Sequence, residues 1–139
     1  TLGTNQFSSN RRLSVIRIAG KGQNFKVVDD VLFDKDMTRL IWCSYENIGG
    51  YEITHTVKDI DLWAFSFCMQ LTSIVIPDSI TKIPSWTFFD CCRLETVTIP
   101  SSVTFVGGYA FAHCSARKAI SIPDSVTFID EWDFPIVVN

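Results

Sequence analysis

The sequence predicts a β-rich solenoid: a right-handed coil of 23-residue repeats whose strands form a parallel sheet, with one inserted β-hairpin. Three observations predict it. The phrase IPDSITKIPSWTFFDC (76–91) returns as IPSSVTFVGGYAFAHC (99–114) and, in part, as IPDSVTFIDEWDF (122–134). Apolar residues recur at that same step in many columns. A chain of 139 residues that is 47% apolar and 19% charged can bury a core and is not disordered.

The period is fixed by residues of several kinds. Pro77, Pro100 and Pro123 stand 23 residues apart, as do Phe65, Phe88, Phe111 and Phe134, and Cys68, Cys91 and Cys114. The aliphatic columns agree: Ile53, Ile76, Ile99 and Ile122; Val57, Ile80, Val103 and Val126; Ile60, Ile83, Val106 and Ile129. The step lies in the leucine-rich-repeat range. The unit reads L-x-x-I-x-I-P-x-S-V-x-x-I-x-x-W-A-F-x-x-C.

Each part of the unit has a physical reason. The alternation in LETVTIP is that of a half-buried strand. Pro100 ends it, since proline cannot donate the next ladder bond. A second short extended piece turns Val103 and Val106 inward. Ala110, Phe111 and Cys114 then carry the chain back. One coil cannot bury its own apolar side, but stacked coils share a core at the ~4.8 Å strand spacing. Segments near 72–76, 95–99 and 118–122 are thus expected to pair as one parallel sheet.

The ends vary the theme within a single domain, 1–139. LSVIRI (13–18) matches LTSIVI (71–76), so 1–18 reads as a partial repeat. The stretch 25–43 holds two β-rich runs around DKDMT and reads as an inserted β-hairpin. Residues 51–134 carry three full repeats and a partial one, and PIVVN (135–139) leaves the pattern as a terminator. The chain opens on Thr1 without a leader pattern, so any signal peptide is expected to have been removed or to lie upstream of a cut segment.

LTSIVIPDSITKI, with its following Phe and Cys, and the hairpin stretch VDDVLFDKDMTRLIWC before YEIT, resemble the BspA-like, treponeme-type leucine-rich repeat family. The resemblance covers roughly residues 2–134. It implies a secreted or cell-surface, extracellular protein engaged in adhesion to a host or cell-surface protein. Two positions depart from the pattern: Thr54 replaces a proline, and Ala116 and Arg117 replace the leucine region of the third repeat.

Little in the sequence suggests chemistry. The net charge of −3 argues against nucleic acid, which needs a basic face. No apolar run approaches the ~20 residues of a membrane helix, so no membrane insertion is expected. Cys68, Cys91 and Cys114 point the same way along a ladder and read as buried free thiols rather than a disulfide or zinc site. Cys43 and Cys92 receive no inward assignment. His55 and His113 lie in no nucleophile or metal motif. Asp29, Asp30, Asp34 and Asp36 read as a solvated turn, not a calcium loop. The expectation is no enzyme, no metal and no cofactor.

The aromatic columns carry the functional reading. Trp63, Trp86, Tyr109 and Trp132 precede the inward Ala-Phe pair and are expected on the flank, partly exposed. Phe105 and Phe128 add rings between inward aliphatics. These six are the candidate partner-binding residues, since aromatics dominate interface energetics. The alternative is that the rings only shield the coil edges. The outward strand columns, among them Ser73, Val75, Thr96 and Thr98, are small and bland. The sequence thus favours a non-enzymatic recognition module for a protein partner. A glycan on the aromatic ladder, a structural spacer, and self-association through the solenoid ends are the other readings.

Overall fold

The computed structural model describes residues 7, 13–20, 24–47, 49–116 and 120–130. These hold ten strands: β1 (Phe25–Val28), β2 (Val31–Asp34), β3 (Arg39–Cys43), β4 (Gly49–Glu52), β5 (Asp59–Ile60), β6 (Leu71–Val75), β7 (Lys82–Ile83), β8 (Thr96–Thr98), β9 (Phe105–Val106) and β10 (Phe128–Ile129). No helix occurs among the described residues. The architecture is a parallel β-solenoid of about four turns with a 23-residue step.

Two parallel sheets run along the coil. One orders its strands β4-β6-β8, the other β10-β9-β7. Registers follow the repeat: Ile74 lies beside Val97, and both Ile83 and Ile129 lie beside Val106. The chain returns between coils through i→i+3 turns, such as Ser66 N–H to the Trp63 carbonyl (3.0 Å) and Cys68 N–H to the Phe65 carbonyl (3.2 Å). These turns are laddered too: Phe65 N–H donates to Thr87 O (2.9 Å) and Phe88 N–H to Ala110 O (2.8 Å).

Three side-chain columns hold successive coils in register. Phe65, Phe88 and Phe111 are fully buried and stack at 5.2 and 5.1 Å. Ser79, Ser102 and Ser125 each donate Oγ–H to a carbonyl of the preceding coil, at 2.6, 2.7 and 2.8 Å. Cys91 and Cys114 donate Sγ–H to the carbonyls of Phe65 and Phe88, at 3.1 and 3.2 Å. The ladder cysteines are buried free thiols, and those of Cys91 and Cys114 add a second donor to carbonyls that already accept the turn N–H groups of Cys68 and Cys91.

The insertion 25–43 contains the expected hairpin, β2 to β3, and extends it by a further strand. Asp29 and Asp30, at φ 49° and 60°, form a two-residue turn that pairs β1 antiparallel to β2. In the second turn Met37 takes φ 57°, a conformation that glycine usually supplies, and Asp34 stabilises it. The Asp34 carboxylate accepts Thr38 N–H (2.7 Å), Thr38 Oγ–H (2.6 Å) and Arg39 N–H (2.9 Å). Burial pushes the Asp34 carboxyl up, but these bonds and the Arg39 charge outweigh it and hold it below its ordinary value. β3 then pairs parallel to β5, placing Leu40 beside Ile60, so the insertion feeds directly into the coil. Arg39 clamps this junction through a two-pronged ion pair with the nearly buried Asp61, at 2.6 and 2.8 Å.

Both faces of β2 and β3 are covered. Val31, Phe33, Leu40 and Cys43 join the main core. Leu32, Ile41 and Trp42 form a second core against Leu13, Ile16, Ile18, Phe25 and Val27. Cys43, left unassigned by the sequence, is thus buried, while Cys92 is half-buried.

Residues 13–19 and 120–122 form no strand where the repeat would place one. Residues 13–19 keep the alternating exposure of a strand but pair with none, because they lie over the insertion's second core. Val15 and Arg17 accordingly belong to no sheet face. Among the described residues, the parallel sheet at 71–75 and 96–98 has β4 as its third strand, and residues 118 and 119 of the expected segment 118–122 lie outside the described residues. Within that stretch, Ile120 and Ile122 are buried, but 120–122 is not a strand. Arg117, Phe134 and the terminator 135–139 lie outside the described residues.

Candidate partner-binding flank

The flank is built by the return turns. Trp63, Trp86 and Tyr109 occupy the same position in three successive coils, at φ 65°, 62° and 58°. Left-handed backbone costs a residue with a Cβ roughly 1–2 kcal/mol. Trp86 N–H donates to Gly108 O (3.0 Å), which fixes this strained turn to the next coil. Its compensation is stacking. Trp63 and Trp86 lie 4.6 Å apart and 8° from parallel; Trp86 and Tyr109 lie 4.1 Å apart and 9° from parallel. Aromatic pairs in such contact are worth ~0.5–1.5 kcal/mol each.

The stack has a definite polarity. Both faces of the Trp86 ring are covered by its neighbours, yet the residue is only half-buried. Its exposed surface is therefore ring edge. Phe89, which the sequence reading passed over, closes one side of the stack. It meets Trp63, Trp86 and Phe67 edge-on at 5.9, 5.0 and 5.7 Å, and the exposed His113 ring lies 4.9 Å away. A signal was available: Phe89 is large where the equivalent residues, Ser66 and Ala112, are small.

Phe105 and Phe128 form a separate column on the outer side of β9 and β10. They stack at 5.1 Å and 2° from parallel, with Phe128 50% exposed. In register with Phe105 stands the exposed Lys82. Trp132 lies outside the described residues. The strand face offers less contact: Glu52, Thr96 and Thr98 are exposed, Ser73 is half-buried, and Val75 is its large apolar residue, 38% exposed.

The titratable groups are suited to packing. Cys68 is pushed well up by its contact with Cys43 and by burial, and Cys91 by burial. Both stay protonated and are poor nucleophiles. Burial pushes the Tyr51 hydroxyl up as well. Among the described residues no three His, Cys, Asp or Glu side chains are placed to hold a metal, and no helix is long and apolar enough to cross a membrane.

A parallel solenoid with this repeat and inserted β-strands defines a leucine-rich-repeat protein. The model for the BspA type leucine rich repeat region matches residues 39–135 in six copies, and the chain belongs to that family. No curated protein matches it. Among solved structures it is similar to a leucine-rich cell surface protein from Faecalibacterium prausnitzii, at 29% identity and TM-score 0.66, over 90% of this chain and 40% of that one. A leucine-rich repeat protein from Bacteroides ovatus is 29% identical, with TM-score 0.60, over 75% and 27% of the two chains. The pneumococcal vaccine antigen PcpA shares the fold at 19% identity and TM-score 0.65, over 81% and 34%. The chain spans well under half the length of each.

Proposed function

We propose that this chain is a non-enzymatic recognition module of a cell-surface or secreted protein, and that it binds a protein partner through the aromatic flank. The observation that carries the reading is the partly exposed column Trp63, Trp86 and Tyr109, buttressed by Phe89. Rings fixed by stacking lose little further side-chain entropy on binding, which removes part of the cost of association. The similar protein from Faecalibacterium prausnitzii is a cell surface protein, which supports the location. Edge-on presentation favours a protein partner over a glycan, because sugars stack on ring faces and those of Trp86 are taken. Ring edges carry the positive end of the quadrupole and suit the aromatic faces and carbonyl oxygens of a polypeptide.

The test is adhesion of the labelled chain to cultured epithelial cells, with parallel samples pretreated with protease or with glycosidases. Saturable binding that protease abolishes and glycosidases spare is the expected result. Binding that glycosidases alone remove would overturn the protein-partner reading.

A further inference from the structure

A second surface lies on the insertion, where residues 15–20 and β1 line an open groove of about 710 Å³. β1 is an edge strand, with β2 its one partner among the described residues. The register dictates which backbone groups it leaves open. Val28 and Val31 close the two-residue turn as a hydrogen-bonded pair, so the pattern alternates back along the strand. Phe25 and Val27 therefore aim N–H and C=O away from β2. Residues 15–18 likewise pair with no strand. The groove is thus bounded on its β1 side by open backbone, the arrangement that accepts an added strand.

The side chains fit the same guest. Ile16, Ile18, Phe25 and Val27 are half-buried and make an apolar floor. Val15 and Val28, 49% and 39% exposed, are among the largest apolar exposures of the described chain, and both line the rim. Arg17 and Lys26 alternate with the floor residues and point outward; Asp30 sits at the turn end. β1 offers four residues of edge, roughly 13 Å at ~3.3 Å per residue, along which a guest strand can pair. We propose that the groove takes an extended segment of a partner protein, alternating apolar and acidic residues, as a new strand on β1. The apolar residues face the floor, and the acidic ones oppose Lys26 and Arg17.

Amide exchange and peptide titration test this together. In the free protein, the amides of Phe25 and Val27 should exchange rapidly; protection there would mean that the edge is already covered and would overturn the proposal. Adding a capped Val-Glu repeat octapeptide should then slow both amides by about tenfold or more, with saturable binding below about 1 mM. The Val-Lys octapeptide should not. Arg17→Glu with Lys26→Glu, both at exposed positions, should reverse that preference. The affinity of the unaltered chain for the Val-Glu peptide should fall as salt rises. No saturable binding, or equal binding of both peptides, contradicts the inference.

Discussion

Trp86 and Tyr109 stack with ring centroids 4.1 Å apart while both hold left-handed backbone, at φ 62° and 58°. The stack and the strain oppose each other, and two substitutions separate them. Trp86→Ala loses three ring contacts, to Trp63, Tyr109 and Phe89, and keeps the strain, so it should cost about 1.5–4.5 kcal/mol. Trp86→Gly also relieves ~1–2 kcal/mol of strain but adds ~0.5–1 kcal/mol of chain entropy. The Gly variant should therefore be the more stable of the two in urea. The opposite order would show that the turn does not strain Trp86.

Proline in the repeat stiffens a turn that forms without it. Val57 N–H donates to Thr54 O at 3.0 Å, as Ile80 and Val103 donate to Pro77 and Pro100 at 3.1 Å. Thr54→Pro should accordingly stabilise the chain by about 0.4–1 kcal/mol, through the unfolded state. A lower denaturation midpoint would show that Thr54 N–H or its φ matters.

The core thiols predict an alkaline limit. Cys68 and Cys91 have folded pKa values well above 9.0, the ordinary value that applies once the chain unfolds. Below that value both states are protonated and stability is at its full level. As pH rises above it, the unfolded chain releases protons that the folded chain keeps, so stability falls. Two thiols give a slope of roughly 2.7 kcal/mol per pH unit. Urea midpoints should be flat from pH 7 to about 8.5 and decline beyond. In the native protein, alkylation should reach Cys92 first, since the other four cysteines are buried.

The Arg39–Asp61 pair should act as a local clamp. Arg39 is partly exposed, so screening limits the gain, but Asp61 is nearly buried and accepts both donors. Arg39→Ala should cost about 1–2 kcal/mol, because it leaves the carboxylate short of donors. Arg39→Ala combined with Asp61→Ala should cost less than the two single changes summed. Strict additivity would mean that the pair is not coupled.

The repeat was legible because 23-residue columns of Phe, Pro and Cys report a stacked core directly. Other features were not legible, for separate physical reasons. An alternating segment such as 13–18 looks alike whether it pairs in a sheet or lies over a second core. The Asp29-Asp30 turn lacks the glycine that marks a tight hairpin, so β1 was hidden. Left-handed backbone at Trp63, Trp86 and Tyr109 contradicts local preference, and tertiary stacking overrides it. The thiol bonds of Cys91 and Cys114 depend on where the previous coil aims its carbonyls. At the site, the flank column was legible from spacing. Its edge-on geometry and the buttress from Phe89 were not, since both depend on ring planes.

The central claim is that the aromatic flank, not the strand face, meets the partner. The most direct measurement compares two double variants in adhesion to epithelial cells: Trp86→Ala with Tyr109→Ala, and Ser73→Ala with Thr96→Ala. Circular dichroism and urea midpoints would confirm that each variant is folded, and Tyr109→Phe, which keeps the stacked ring, serves as a control. The aromatic pair should lower binding by about tenfold or more, as loss of a hot spot does. The strand-face pair and the control should stay near the unaltered chain. Binding that survives the aromatic pair and vanishes with the strand-face pair would contradict it.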